Sequence, residues 1–550
     1  MDTTTQTSRL VAILRSGSTE TQLPTLLDHF AFYAARVAEE PLLIALLEAL
    51  FYSPLLKDQD ASRLYTAARS AASSKLQVSL PSLPVPLFFR AWDRCFAACS
   101  RWSIPQLALL SGSIGVSQEF EQLQRRYFID DSGHVAGMLL RWRSSLLLPM
   151  LAGMMNVSTS EAARQTLIEL YAGSAVPSDA DNRLLTPLWD TIASSALQGV
   201  VHTILDAHDT ACPRLSDLTR LLQLSLPRAS PATAQYTLTA ITSAARELPH
   251  LTTATSVPSD FYFRRYVALV IATRGCLESR PQVPVQWYKQ ALRTLQRLNF
   301  IAIDLGTAGF SSYEYVYEVS VLAVGEVAGM AAELAVDQGA PAQLFLLDYI
   351  ARAAEVHGHA GLALEQLYSH VHSHLGNRDA RVRNAAHFAA VALLAAPDSS
   401  PSAIQWKQHH LQPYATLSTD QYRTRSLSGE QLEHIFRALA VVLPAVHSAD
   451  PDAARRLLHM LYRAVVNTPA IASAHKVPLL RCIALLVPQA DPRYAVAWLE
   501  NVRALSRDLS DPEQLSQVEK GLWEVVSASR NDAMLRWWSN CPPLSRQSRL

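Results

Sequence analysis

Apolar residues recur at helical spacing along this chain, stripe after stripe, and almost nowhere alternate with the period of two that a half-buried strand requires. Ser158 and Glu161 form the pattern of a capping box, Ala163, Leu167, Leu170 and Tyr171 follow as one stripe, and Gly173 closes it. Asp450 with Pro451 opens a second stripe through Ala454, Leu457, Leu458, Leu461 and Val465. Ser510 and Glu513 open a third through Leu515, Val518, Leu522 and Val525. Thirty prolines mark the places where stripes stop, with breaks expected near Pro81–Pro86, Pro177, Pro227–Pro231, Pro249–Pro258, Pro281–Pro284, Pro397–Pro401 and Pro413. The stretch from Leu76 to Val85 carries three of them and reads as a linker and not a strand. Only 19 glycines occur in 550 residues, too few for a fold rich in phosphate loops or tight hairpins. The expectation is an all-α chain of many helices on short connections, an α-solenoid of antiparallel helix pairs. Three helical parts are expected, residues 1–230, 231–400 and 401–541, with 542–550 as an exposed tail.

The charge balance removes one large class of function. Lys plus Arg number 48 and Asp plus Glu number 48, so no basic field exists to hold a phosphate backbone, and no nucleic-acid partner is expected. Half the residues are hydrophobic (49%) and only 17% are charged, a mixture that buries a core and does not describe a disordered chain. Six cysteines are scattered, and only Cys95 and Cys99 are neighbours, so they read as buried thiols in a reducing setting. Met1 to Thr7 lacks the basic and apolar regions of a secretory signal. The most apolar run, Val135 to Met155, is interrupted by Arg141 and Arg143, so no transmembrane span is expected.

A search for chemistry finds no catalytic framework, and none is expected, nor any cofactor. Phosphate-loop, dinucleotide and His-Glu-x-x-His motifs are missing. Ser111-Gly112-Ser113-Ile114-Gly115 resembles a nucleophile elbow only superficially and is expected to be a loop. His370 and His374 are four apart and share a helix face, with His387 or Asp379 as conceivable third ligands, but solvated surface histidines are the default and no metal site is expected. His357 and His359 invite no different reading. Phe261 to Tyr266 is most simply the start of a core helix, a partner groove being the alternative. Tyr313, Tyr315 and Tyr317, after Gly306 and Gly309, are expected to form an exposed edge for a partner. Trp537 and Trp538 are expected to cap the array.

One segment resembles a named repeat. Residues 362–396 read as helix, turn and helix, and Asp379, Val382, Arg383, Ala385 and Ala386 hold the places that a HEAT repeat gives to its turn aspartate, Val-Arg pair and small residues. The resemblance implies HEAT-like helix pairs in which the aspartate and arginine tie successive turns together. The final Ser548-Arg549-Leu550 fits the serine, basic, leucine pattern read by the receptor for peroxisomal matrix import. A helical, motif-free chain of this length with that ending resembles the peroxin 8 family of fungal peroxisome biogenesis factors. The resemblance implies a non-enzymatic scaffold in the peroxisome, at the lumenal face of its membrane and peripheral to it. Such a scaffold links the receptor-docking and RING ubiquitin-ligase complexes, and helps the import receptor, its partner through the tail, to release cargo. An N-terminal type 2 import signal is not completed after Arg9-Leu10 or Arg63-Leu64. Two alternatives remain open, an all-α peroxisomal matrix enzyme and a cytosolic HEAT-type adaptor whose tail is coincidental.

Overall fold

The computed structural model describes residues 3–541 apart from 18–21, 79–81, 128–131, 158–159, 175–188, 207–214, 252–258, 279, 281, 308, 359–362, 398–399, 470–473 and 510. No strand occurs among the described residues. The chain forms two compact units, Met1–Val316 and Tyr317–Leu550, the boundary falling inside the helix Ser311–Ala323.

In the first unit many helices pack on the next but one along the chain. Thr3–Ser16 lies on Glu40–Phe51, Leu23–Ala34 on Ala61–Gln77, and Ala61–Gln77 on Ile104–Ile114. Further on, Trp189–Leu205 packs on Leu215–Ser225 and Pro231–Glu247, and the latter on Val285–Leu305. Phe30, Phe51, Trp92, Phe96 and Trp142 make a buried aromatic core, Phe96 meeting Trp142 edge-on at 5.0 Å. Fully buried Arg265 donates to the carbonyls of Thr203, Ile204 and Asp206, which holds the end of one helix against the next. Its neighbours Phe261 and Tyr266 are buried too, so this stretch is core.

The second unit shows the repeat most plainly. Ala340–His357, Ala380–Ala395, Gly429–His447, Lys476–Leu486 and Pro512–Ser529 stack side by side as one row. The helices between them form the other row, where Pro401–Arg423 packs on Ala453–Val466 and Pro492–Ser506 on Asp532–Asn540. Alternating membership in two rows, with mainly neighbour contacts, is the α-solenoid expected from the sequence. Trp537 is buried at the last helix, donating to Glu500, and Trp538 lies 5.4 Å from Trp523.

Several local expectations are corrected. Ser111 to Ile114 is not a loop but the buried end of the helix Ile104–Ile114. Gly112 is there for close approach, because a Cβ at this position would lie 2.3 Å from the Tyr65 carbonyl oxygen. Pro413 does not break its helix but sits inside Pro401–Arg423, as Pro444 sits inside Gly429–His447. Both prolines are exposed, so water can serve the carbonyls that lose their partners. The caps shift by one or two residues. Ser160 caps Glu161–Gly173 and Asp511 caps Pro512–Ser529, while Ser158 and Ser510 lie outside the described residues. Asp450 makes no cap and instead pairs with Arg456. Val135 to Met155 falls on three consecutive helical segments, Ser132–Arg141, the π-helix Trp142–Leu147 and Leu148–Val157, and no described helix is long and apolar enough to cross a membrane.

Candidate interaction surface

The HEAT-like turn forms a polar joint. Asn377 Oδ1 accepts the Asp379 N–H at 2.9 Å, and Asp379 Oδ1 accepts the Arg381 N–H at 2.8 Å as the cap of Ala380–Ala395. That backbone bond, with the Arg381 side chain, holds the Asp379 carboxyl below its usual range. Arg383 donates from Nη1 to Asn377 O (2.9 Å) and from Nε to Ser426 O (3.1 Å), so one guanidinium joins its own turn to the loop that opens the next pair. Val382 is fully buried beside it. One turn along the helix, buried His387 meets Tyr414 Oη at 3.0 Å and Gln421 Oε1 at 2.6 Å, and Gln421 donates on to Leu375 O. Burial pushes the His387 imidazole down, so it is a neutral structural group.

His357 contacts the Val321 carbonyl, His359 lies outside the described residues, and among the described residues no three His, Cys, Asp or Glu side chains converge on an ion site. Cys95, Cys276 and Cys482 are buried, and desolvation pushes the Cys95 and Cys276 thiols up to about 12, out of reach of thiolate chemistry.

The tyrosine edge is corrected in part. Tyr313 and Tyr317 are each only 8% exposed. Tyr317 donates to Asp348 Oδ2 at 2.5 Å and stands edge-on to Phe345, while half-buried Tyr315 lies under the Arg274 guanidinium at 5.0 Å. Residues four apart share a helix face, so Tyr313 and Tyr317 turn inward together. Ser548, Arg549 and Leu550 lie outside the described residues.

A concave surface lies in the second unit, on the row that includes Pro401–Arg423, Ala453–Val466 and Pro492–Ser506. A cleft of about 590 Å³ runs between the first two of these helices, with Gln412, Thr416 and Arg423 on one wall and Arg455, Arg456 and Arg463 on the other. Arg456 forms a two-toothed pair with Asp450 and reaches across to Gln412 Oε1 at 3.0 Å. Arg455 pairs with Asp452 at 3.3 Å, and Arg423 with Asp420 at 3.7 Å. Arg455 and His459 also border a second cleft of about 1020 Å³, which continues past Trp498 and Tyr494 to Pro444. The His459 ring lies 5.1 Å from that of Trp498. Sequence reading registered the apolar stripe of Ala453–Val466 but not its opposite face. The signal was there: 455, 456, 459 and 463 fall on one side of a 3.6-residue helix.

Fold and clefts together define a helical-repeat protein with grooves between its helices. Comparison with known proteins narrows the class. Residues 405–541, which contain both clefts, match the family model for the PEX8 C-terminal domain. Over 588 aligned residues the chain is 24% identical to peroxisomal biogenesis factor 8 of Saccharomyces cerevisiae, covering 98% of this chain and 99% of the relative. Both matches make the chain similar to the peroxin 8 family of peroxisome biogenesis factors. Among solved structures, the karyopherin Kap121p bound to the SUMO protease Ulp1p aligns with 99% of this chain at 12% identity and a TM-score of 0.44. Kap121p bound to Nup53p aligns over the same share at 12% identity and a TM-score of 0.43. The chain spans 56% of the length of each karyopherin.

Proposed function

We propose that this chain is a non-enzymatic scaffold of peroxisomal matrix protein import. It works at the lumenal side of the membrane, links the receptor-docking and RING ubiquitin-ligase complexes, and assists the import receptor in releasing cargo. The observation that carries this reading is the similarity to peroxisomal biogenesis factor 8 along nearly the whole of both chains. Three features agree with it. The architecture is a helical array with grooves between its helices. No described helix is suited to span a membrane, which is compatible with peripheral association. Ser548-Arg549-Leu550 supplies an import address and a contact for the import receptor.

The test joins location to company. A fluorescent protein is fused to the N-terminus of the full chain and of a chain lacking Ser548 to Leu550. The full chain should be punctate with a peroxisomal marker and the shortened one at least partly diffuse. Purification from detergent-solubilised peroxisomal membranes should then recover docking and RING proteins. Recovery of soluble matrix proteins alone, or diffuse fluorescence of both fusions, would overturn the proposal.

A further inference from the structure

The cleft between Pro401–Arg423 and Ala453–Val466 carries more positive charge than its own carboxylates answer. Asp420, Asp450 and Asp452 pair with Arg423, Arg456 and Arg455. The exposed guanidinium of Arg463 faces the same cleft without a hydrogen-bond or ion-pair partner among the described residues. Arg425, beside the cleft's end, is also without one, and its backbone is held in the left-handed region at φ 63°. That conformation costs a non-glycine residue about 1 kcal/mol or more. Between the arginines the floor is apolar, formed by Met460 and Ala464, with the Thr416 hydroxyl 3.2 Å from the Met460 sulfur. In a chain whose formal net charge is zero, this excess is local, and it lines a concavity in which water screens it less than on open surface.

We infer that this cleft binds an acidic peptide segment of a partner protein, in extended form, with carboxylates against Arg455 and Arg463 and an apolar side chain on the Met460 floor. Spacing sets the ligand. Eight residues of helix separate the two arginines by about 12 Å along the axis at ~1.5 Å per residue. An extended peptide covers that distance in about four residues at ~3.3 Å each, and residues four apart point the same way. The fitting segment therefore has two Asp or Glu residues four apart with an apolar residue midway. Arg-to-carboxylate pairs in a fork geometry give such recognition direction as well as charge. A nucleic-acid backbone is the poorer occupant, because Asp420, Asp450 and Asp452 stand among the arginines and would repel its unbroken run of phosphates. The inference rests on the scaffold reading only in taking the ligand to be part of a protein.

The test uses the full chain and a random dodecapeptide library displayed on phage, panned on the native protein and on the double variant Arg455→Glu, Arg463→Glu. Both side chains are exposed, and an unchanged circular dichroism melt confirms the fold. The expected result is enrichment of Asp or Glu pairs four apart on the native chain and loss of that enrichment on the variant. A synthetic winning peptide should bind the variant at least about tenfold more weakly, and should bind the native chain more weakly as salt rises from about 50 to about 500 mM. Should the double variant unfold, Arg463→Gln, which breaks no bond in the protein, is read in the same way. Winners without acidic enrichment, or equal affinity for native and variant chains, overturn the inference. Acidic selectivity in a chain that proves to have no part in import sinks the scaffold reading alone. An import role without acidic selectivity sinks this inference alone.

Discussion

Replacing Arg383 by alanine tests whether the repeat turns are mechanically joined. Two hydrogen bonds would be lost, to Asn377 O at 2.9 Å and to Ser426 O at 3.1 Å. Each intramolecular hydrogen bond is worth about 1 kcal/mol net, and those from charged donors about 1.5 to 3 kcal/mol. Arg383 is only part-buried, so water can reach the abandoned carbonyls and the lower end applies. The expected cost is about 2 kcal/mol, or roughly 30-fold in the local opening equilibrium. Because contacts in a stacked array run mainly between neighbours, the loss should stay local. Native-state hydrogen exchange followed by mass spectrometry is the suitable assay, since an array of this length need not unfold in one step. Amides of Ala380–Ala395 and of the first turns of Gly429–His447 should exchange faster, while those of Pro512–Ser529 should not change. Arg383→Lys keeps the charge but cannot span both carbonyls, so it should recover less than half of the loss. Unchanged exchange in Arg383→Ala, or an equal rise along the whole unit, would refute the reasoning.

Gly112→Ala should cost the first unit about 1 to 3 kcal/mol, read as a lower melting temperature of its helices, because the new Cβ would run into the Tyr65 carbonyl. The depressed pKa of buried His387 makes stability pH-dependent with a definite sign. Its contribution is complete above the unfolded value of about 6.5 and is lost as the pH falls through the lower folded value, as the unfolded state takes up the proton first. His387→Gln should therefore be less stable at pH 7.5, yet lose less than the native chain between pH 7.5 and 5.5 in denaturant titrations. Tyr317→Phe removes the donor to Asp348, whose carboxyl burial already pushes up, and should lower stability by about 1 to 2 kcal/mol without altering recovery of partners. Lost partners with unchanged stability would restore Tyr317 to the surface role.

Much of the fold was legible because stacked helices write it locally. Stripes such as Leu457, Leu458 and Leu461 show both the helix and the face it buries, and all three are buried. The errors cluster where local chemistry is ambiguous. A Ser-Gly-Ser run looks like a turn, and only a neighbouring helix reveals that Gly112 serves close packing. Pro413 breaks a helix unless it faces water, which depends on a rotation the sequence shows only faintly. Tyr313 and Tyr317 follow glycines that suggest an exposed edge, but the four-residue period sends both inward. The arginine face of Ala453–Val466 was missed for a different reason. On a single amphipathic helix a basic face looks like an ordinary solvated one, and a balanced net charge averages away a local excess. Only the neighbouring wall from Gln412 to Arg423 makes that face one side of a cleft.

The most direct test of the central claim is to delete the chain from the organism that encodes it and image a fluorescent matrix reporter ending in Ser-Lys-Leu. A scaffold of import predicts that the reporter turns diffuse in the cytosol while peroxisomal membrane proteins remain punctate, and that restoring the full chain returns the reporter to peroxisomes. A reporter that stays punctate after deletion would contradict the account, because a matrix enzyme or an unrelated helical adaptor can be lost without stopping import.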